Sequence, residues 1–214
     1  RMLFWPVGGL LVLTGALALV LPLPSHPADR PALAPRAGEL FAPGLRRQTL
    51  ALTAMIAINA YGHQALVGWM TVYLREVEGV SHSGVAATLT AQYVGSIIGC
   101  FAWGLAIDRW GRRAGGWGIM AAGVCAALFV LLPQPLLAKQ IAMFGFGLGF
   151  GAVASVGPWL AELYPPHLRA PATSIFQWGR FISLLAPPLT GYAAALLGLQ
   201  VVMMMAAVAF LCSS

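Results

Sequence analysis

The chain has 214 residues, of which 59% are hydrophobic and only 8% are charged. A soluble domain carries about 25% charged residues, and a disordered chain combines low hydrophobicity with high charge, so both classes are excluded. The formal net charge is +6, but the arginines lie mostly in short segments between apolar runs, where they orient membrane helices and do not indicate nucleic-acid binding. The composition therefore predicts an integral membrane protein.

Long continuous apolar runs predict membrane-spanning helices, which take about 20 residues each. The sequence does not show the short segments of alternating polar and apolar residues that are typical of a membrane β-barrel. We predict an all-α polytopic bundle of about seven spans, in which 1–23 is one helix, 24–47 is a proline-rich cytoplasmic linker and 48–214 is a six-helix bundle with a truncated last helix. The predicted spans are 2–23, 49–74, 84–107, 115–132, 137–163, 172–197 and a seventh from 199.

The distribution of lysine and arginine predicts the orientation of these spans. Eight of these residues fall on one side and three on the other, and the richer side is expected to be cytoplasmic. The eight are Arg30, Arg36, Arg46, Arg47, Arg109, Arg112, Arg113 and Arg169, and the three are Arg1, Arg75 and Lys139.

Small residues within the spans predict helix packing and no metal or cofactor site. Gly145, Gly147, Gly149 and Gly151 alternate in an apolar run that lacks the lysine of a phosphate-binding loop, so they predict close helix contacts. The prolines at 187 and 188 are expected to kink their span. Cys100, Cys125 and Cys212 are isolated and predict neither a disulfide nor a metal site.

Two charged turns on the predicted cytoplasmic side could form a breakable ionic latch. The first is the segment 104–113, with a glycine inside the span followed by a carboxylate and three guanidiniums. The second runs from Glu162 to Arg169. Guanidinium and carboxylate groups pair readily, but arginines that only anchor the helices, and isolated loop charges, remain alternatives. The latch candidates are Gly104, Asp108, Arg109, Gly111, Arg112, Arg113, Glu162 and Arg169.

Segment 104–113 resembles the G-x-x-x-D-R-x-G-R-R loop of the major facilitator superfamily, and Glu162 with Arg169 resembles the E-x6-R loop of its sugar-porter-like and organic-acid-porter-like branches. Segment 68–74 resembles the end of the family's seventh helix, and Gly179-Arg180 with Pro187-Pro188 resembles its eleventh. On this alignment the chain covers helices six to twelve of twelve. The resemblance implies alternating access, in which two six-helix bundles rock around a central site. The N-terminal bundle would then be a missing partner from the same chain.

Polar residues inside the spans are the substrate-binding candidates, because such groups are costly in a membrane. Arg180 shares a helical stripe with Thr173 and Gln177 and could bind a carboxylate bidentately, or it could extend toward the cytoplasm or pair with Glu162. His63 could take part in proton coupling or form a hydrogen bond between helices. The full set is Asn59, His63, Gln64, Gln92, Tyr93, Gln177 and Arg180.

These observations predict a secondary transporter of the bacterial inner membrane and not an enzyme. Its expected partners are the bilayer and a small polar solute, either an organic acid or a sugar, with a proton as a candidate coupling ion. Two alternatives remain open at this stage: an inactive transporter remnant, and a seven-helix membrane enzyme or receptor that uses His63 and Arg180.

Overall fold

The computed structural model describes residues 13, 14, 16, 37–131 and 135–214. The chain divides into two units, Arg1–Ala34 and Pro35–Ser214, and the account below concerns the second. The predicted span 2–23 lies outside the described residues, apart from residues 13, 14 and 16, and so does the predicted linker 24–47 as far as residue 36. The described part of that linker contains the 3₁₀ turn Ala37–Phe41 and the first two residues of a helix that begins at Arg46. The regular structure of the described residues is helical, in agreement with the predicted all-α bundle.

Five described helical stretches are long and apolar enough to cross a membrane, and they confirm the second to sixth predicted spans. A shorter apolar helix follows them. The helices are α1 (Arg46–Val72), α2 (His82–Trp110), α3 (Arg113–Leu131), α4 (Leu136–Phe150), α5 (Val156–Leu163), α6 (Arg169–Ile182), α7 (Ala186–Leu197) and α8 (Leu199–Ser213).

Changes of helical winding interrupt three of the spans. A π-helical turn, Tyr73–Val77, extends α1, and the 3₁₀ turn Gly151–Ser155 joins α4 to α5. The 3₁₀ turn Ser183–Leu185 separates α6 from α7. The predicted kink takes the form of this break, with the proline pair in the first turn of α7, where a missing backbone N–H does little harm.

Glycines bring α2 and the α4 segment into backbone contact. A Cβ on Gly95 or Gly99 would overlap backbone atoms of Phe144 or Leu148, and a Cβ on Gly147 would overlap the carbonyl oxygen of Gln92. Close approach of this kind lets membrane helices gain van der Waals contact without side chains between them. The prediction that the alternating glycines pack helices is confirmed.

The described residues form an apolar interior of two clusters. The larger joins α1, α3, α4 and α8 around side chains such as Phe129, Phe146 and Phe210. The smaller cluster lies at the end of the bundle that carries Arg112, Arg113 and Arg169, which we call the arginine-rich end. There α1, α5 and α6 meet the 3₁₀ turn Ala37–Phe41 through Leu40, Leu160 and other residues. The span formed by α4 and α5 therefore belongs to both clusters, and its 3₁₀ turn lies at the change from one to the other.

Candidate functional site

Six of the seven predicted substrate-binding residues line one cavity of about 570 Å³ between α1, α2, α6 and the α4–α5 span. We call it the central cavity. The six are Asn59, His63, Gln64, Gln92, Tyr93 and Arg180. Gln177, the seventh, is exposed and does not line this cavity.

On α1, the helical spacing of Asn59 and His63 brings both side chains to the cavity. Asn59 is buried, and its Nδ2 donates a 3.4 Å hydrogen bond to Oγ of Ser213 on α8. The imidazole of His63 stacks on the Phe150 ring at 4.3 Å between centroids. This stacking fixes the orientation of the imidazole in the cavity wall.

On α2, Gln92 and Tyr93 contribute to the wall in different ways. Gln92 is buried, and its Oε1 has no hydrogen-bond partner among the described residues. Tyr93 is exposed over 56% of its surface. A buried amide oxygen without a hydrogen-bond partner costs free energy. A bound molecule that donates a hydrogen bond to Oε1 of Gln92 would therefore be stabilised in this cavity.

Arg180 lies in the last turn of α6, immediately before the 3₁₀ break. Its backbone carbonyl accepts a 2.5 Å hydrogen bond from the hydroxyl of Ser183, which also lines the cavity. The sequence left open a pairing of Arg180 with Glu162. The structure instead places the Glu162 carboxylate 2.6 Å from a guanidinium nitrogen of Arg112.

The Arg112–Glu162 ion pair joins the two predicted latch turns. The side chains are 48% and 62% exposed, so the pair is accessible to water. Gly111 separates α2 from α3 with a φ of 77°, a left-handed conformation that favours glycine. The N–H of Gly111 caps α2 by donating to the carbonyl of Ile107 at 2.8 Å, and the chain then turns so that Arg112 faces α5.

The other predicted latch residues lie around this pair without joining it. Asp108, Arg109, Arg113 and Arg169 are exposed and form no ion pair with any described residue. Gly104 does not bring two backbones together, because a Cβ there would meet no described atom within 4 Å. Gly104 instead borders a second cavity.

The second cavity, of about 680 Å³, lies at the arginine-rich end, and we call it the end cavity. Gly104, Asp108, Arg112, Arg113 and Glu162 line it. It adjoins the central cavity, since several small or apolar residues line both. These shared residues are Met55, Cys100, Ile119, Gly151, Ala154 and Val156.

One polar cluster at the arginine-rich end was not predicted from the sequence. Tyr164 is buried, and its hydroxyl lies 2.9 Å from Oγ1 of Thr49, which donates to the carbonyl of Leu40 at 2.8 Å. His167 Nε2 lies 3.7 Å from Glu39 Oε2 nearby. The E-x6-R turn is thus bound to the segment that precedes α1. Tyr164 lies inside the motif, but no spacing rule connects it with Thr49.

A second missed feature lies at the opposite end of the bundle. Lys139, counted from the sequence only as a cation on the poorer side, is 2% exposed and donates a hydrogen bond to Glu78. Its ammonium nitrogen also lies 5.4 Å from the Tyr73 ring centroid. A lysine one turn into a helix after two prolines gives no sign of such burial in the sequence.

Comparison with known proteins agrees with this architecture. The sequence model of the family described as Major Facilitator Superfamily matches residues 1–183 and 79–214 of this chain. Over 128 residues the chain is 31% identical to a probable 4-methylmuconolactone transporter of Cupriavidus pinatubonensis (strain JMP 134 / LMG 1197). The aligned residues make up 57% of this chain and 29% of that transporter.

The fold is similar to that of a solved transporter. The inward open conformation of the xylose transporter XylE from E. coli matches with a TM-score of 0.63 and 21% identity, over 78% of this chain and 46% of XylE. The chain therefore spans less than half the length of either protein. The family match, the apolar helical spans and the shared fold together show that this chain is an integral membrane protein that belongs to the Major Facilitator Superfamily, a family of membrane transporters and not of enzymes.

Proposed function

We propose that the chain is the C-terminal part, helices six to twelve, of a twelve-helix secondary transporter that moves a small organic acid across a bacterial inner membrane. The observation that carries the proposal is the position of Arg180 in the wall of the central cavity, together with five of the other predicted substrate-binding side chains. These six side chains come from three separate helices.

The chemistry of the wall favours an organic acid over a sugar. A guanidinium binds a carboxylate through two parallel hydrogen bonds, and the amide, imidazole and phenol groups can bind hydroxyl or carbonyl oxygens. Apolar side chains such as Met55, Ile56 and Phe150 complete the wall and suit a hydrocarbon skeleton. The name of the related 4-methylmuconolactone transporter supports a small organic solute.

In this proposal the solute site is shared with an N-terminal bundle that supplies the facing wall, and the two bundles rock in alternation. The chain covers only 29% of the related 4-methylmuconolactone transporter and 46% of XylE, and this partial coverage supports a second bundle in the complete protein. The Arg112–Glu162 pair acts as a latch at the cytoplasmic end, where its exposure to water makes it weak enough to break in each cycle. We include proton coupling in the proposal, with His63 as the proton-binding group in the cavity wall.

The first experiment is to sequence the coding DNA on both sides of the codons for Arg1 and Ser214. The proposal expects the reading frame to continue upstream into five further apolar spans and a second Gly-x-x-x-Asp-Arg type of turn. A start codon directly before Arg1 and a stop codon directly after Ser214 would contradict it, because half of the alternating-access fold would not be encoded.

The solute class is tested on the complete transporter, purified in detergent, by ligand-dependent thermal stabilisation. We expect 4-methylmuconolactone, benzoate or succinate to raise Tm, and benzamide and xylose to leave it unchanged. Arg180→Lys should abolish the response to carboxylates, because lysine keeps the charge but loses the bidentate geometry. Stabilisation by xylose alone would favour a sugar. An unchanged carboxylate response in Arg180→Lys would show that Arg180 does not bind the solute.

A further inference from the structure

We propose that the end cavity is a second, transient carboxylate site, at which the departing solute replaces Glu162 on Arg112 and thereby opens the latch. The solute class rests on the function proposed above, but the site itself is argued from a different cavity and different residues. The shared chemistry is an anionic oxygen group, and we assign it to the solute and not to a lipid phosphate.

The position of the two cavities gives the first argument. Six residues line both, and all of them are apolar or small, so that no charged side chain lies on the shared wall. A solute that leaves Arg180 toward the arginine-rich end therefore passes directly into the end cavity. There it meets Arg112 and Arg113.

The Arg112–Glu162 pair gives the second argument. With side chains that are 48% and 62% exposed, such a pair contributes little net free energy. A solute carboxylate can form the same charge-assisted hydrogen bonds with the guanidinium. Glu162 can return to water at low cost, since more than half of its side chain is already solvated.

The charges of the wall give the third argument. Among its described side chains, Arg112 and Arg113 face the carboxylates of Asp108 and Glu162. When a solute carboxylate enters and Glu162 leaves, two guanidiniums again face two carboxylates. Arg113 begins α3, and Gly115 and Gly116 in its first turn also line the cavity. The positive end of the helix dipole and the lack of side chains there favour the approach of an anion.

The solute therefore undoes the latch as it leaves. While it occupies only the central cavity, Glu162 holds Arg112 and the arginine-rich end remains closed. Once it reaches Arg112, the bond that closes that end is exchanged for a bond to the solute. Release then needs only the loss of a water-exposed contact.

The test uses a reporter cysteine in the complete transporter, reconstituted in liposomes with its other cysteines replaced by serine. Ser155→Cys is suitable, because Ser155 lines the end cavity and not the central cavity. Arg180→Gln is added so that the central site does not contribute. The probes are benzoate and its uncharged counterpart benzamide, and the measurement is the rate of alkylation by N-ethylmaleimide.

We expect benzoate to slow alkylation severalfold and benzamide to have no effect. Arg112→Gln with Arg113→Gln should remove the protection, whereas the matched control Arg47→Gln, at an exposed residue outside this wall, should retain it. Glu162→Gln should lower the benzoate concentration needed by about threefold, because the competing carboxylate is gone.

Three results would overturn the proposal. The first is an absence of benzoate protection in the Arg180→Gln background, and the second is equal protection by benzamide. The third is protection without benzoate that appears only when the liposomes contain phosphatidylglycerol, which would assign the cavity to a lipid headgroup. None of these depends on whether Arg180 binds the solute, so this test fails separately from the thermal-shift experiment.

Discussion

Lys139 donates a hydrogen bond from its ammonium group to Oε1 of Glu78, at the end of the bundle opposite the latch. The nitrogen also lies over the rings of Tyr73 and Phe129, at 5.4 and 5.7 Å from their centroids. One carboxylate and two aromatic faces thus replace the water around a cation that is only 2% exposed. The contact joins the end of the first described span to the beginning of α4.

We predict that Glu78→Gln destabilises the protein more than Lys139→Met. The first substitution leaves a buried ammonium group without its carboxylate, which costs about 3 kcal/mol or more. The second removes the buried charge and leaves Glu78, whose side chain is 24% exposed, free to take up water. Thermal unfolding of the purified protein measures both effects. A lower Tm for Lys139→Met than for Glu78→Gln would contradict the assignment of the burial cost to the lysine.

This pair shows where sequence reasoning stops. Hydropathy gives the span that contains Lys139, because it averages over about 20 residues, but the burial of one side chain depends on what other helices place beside it. Glu78 is 61 positions away in the chain, and the two rings come from two different helices. The same holds for Gly104, whose place in a family motif says nothing about which atoms lie opposite it.

The latch residues lead to a prediction about transport. Arg112→Ala and Glu162→Gln should each lower the initial rate of uptake by cells that express the complete transporter, because the Arg112–Glu162 pair can no longer form and one end of the cavity stays unsealed. Both positions are exposed, so the amount of protein in the membrane should be unchanged, as an immunoblot of membrane fractions would show. Arg47→Gln is the matched control. Uptake at the wild-type rate in both variants would mean that these charges only orient the helices.

Proton coupling through His63 can be separated from solute binding. We predict that His63→Gln abolishes uptake driven by a pH gradient into proteoliposomes but leaves counterflow of the same solute intact, since counterflow needs no net movement of protons. The imidazole of His63 lies in the wall of the central cavity, where its ring nitrogens can bind and release a proton. Gradient-driven uptake by His63→Gln would assign the coupling elsewhere.

Polarity inside apolar spans selected seven substrate-binding candidates, of which six line the central cavity. Helical spacing placed two of these six, Asn59 and His63, on one face of α1, since residues four apart share a helix face. Gln177 was the exception among the seven candidates. It precedes Arg180 by three residues and so lies about 4.5 Å from it along the helix axis. The central cavity reaches Arg180, near the end of α6, but not Gln177. A helical stripe gives the direction of a side chain around the axis but not how far along the axis a cavity extends.

The contact between α2 and α4 gives a prediction about folding. Gly147→Ala should destabilise the bundle, because the added methyl group would overlap the carbonyl oxygen of Gln92 and force the two backbones apart. Gly68→Ala is the matched control, since a Cβ there has no described atom within 4 Å. The measurement is the fraction of monodisperse protein after solubilisation, together with Tm. An equal Tm and an equal monodisperse fraction for the two variants would show that α2 and α4 can move apart at little cost in stability.

The 3₁₀ turn Gly151–Ser155 also decides which way Glu162 points. An α-helix advances 1.5 Å and turns 100° per residue, whereas a 3₁₀-helix advances about 2.0 Å and turns 120°. Over five residues the difference amounts to about 2.5 Å in length and about 100° in phase. If the span were α-helical throughout, Glu162 would lie nearer the middle of the membrane and more than a quarter turn away from Arg112. The winding of five small residues therefore selects the partner of a carboxylate two turns further along the chain.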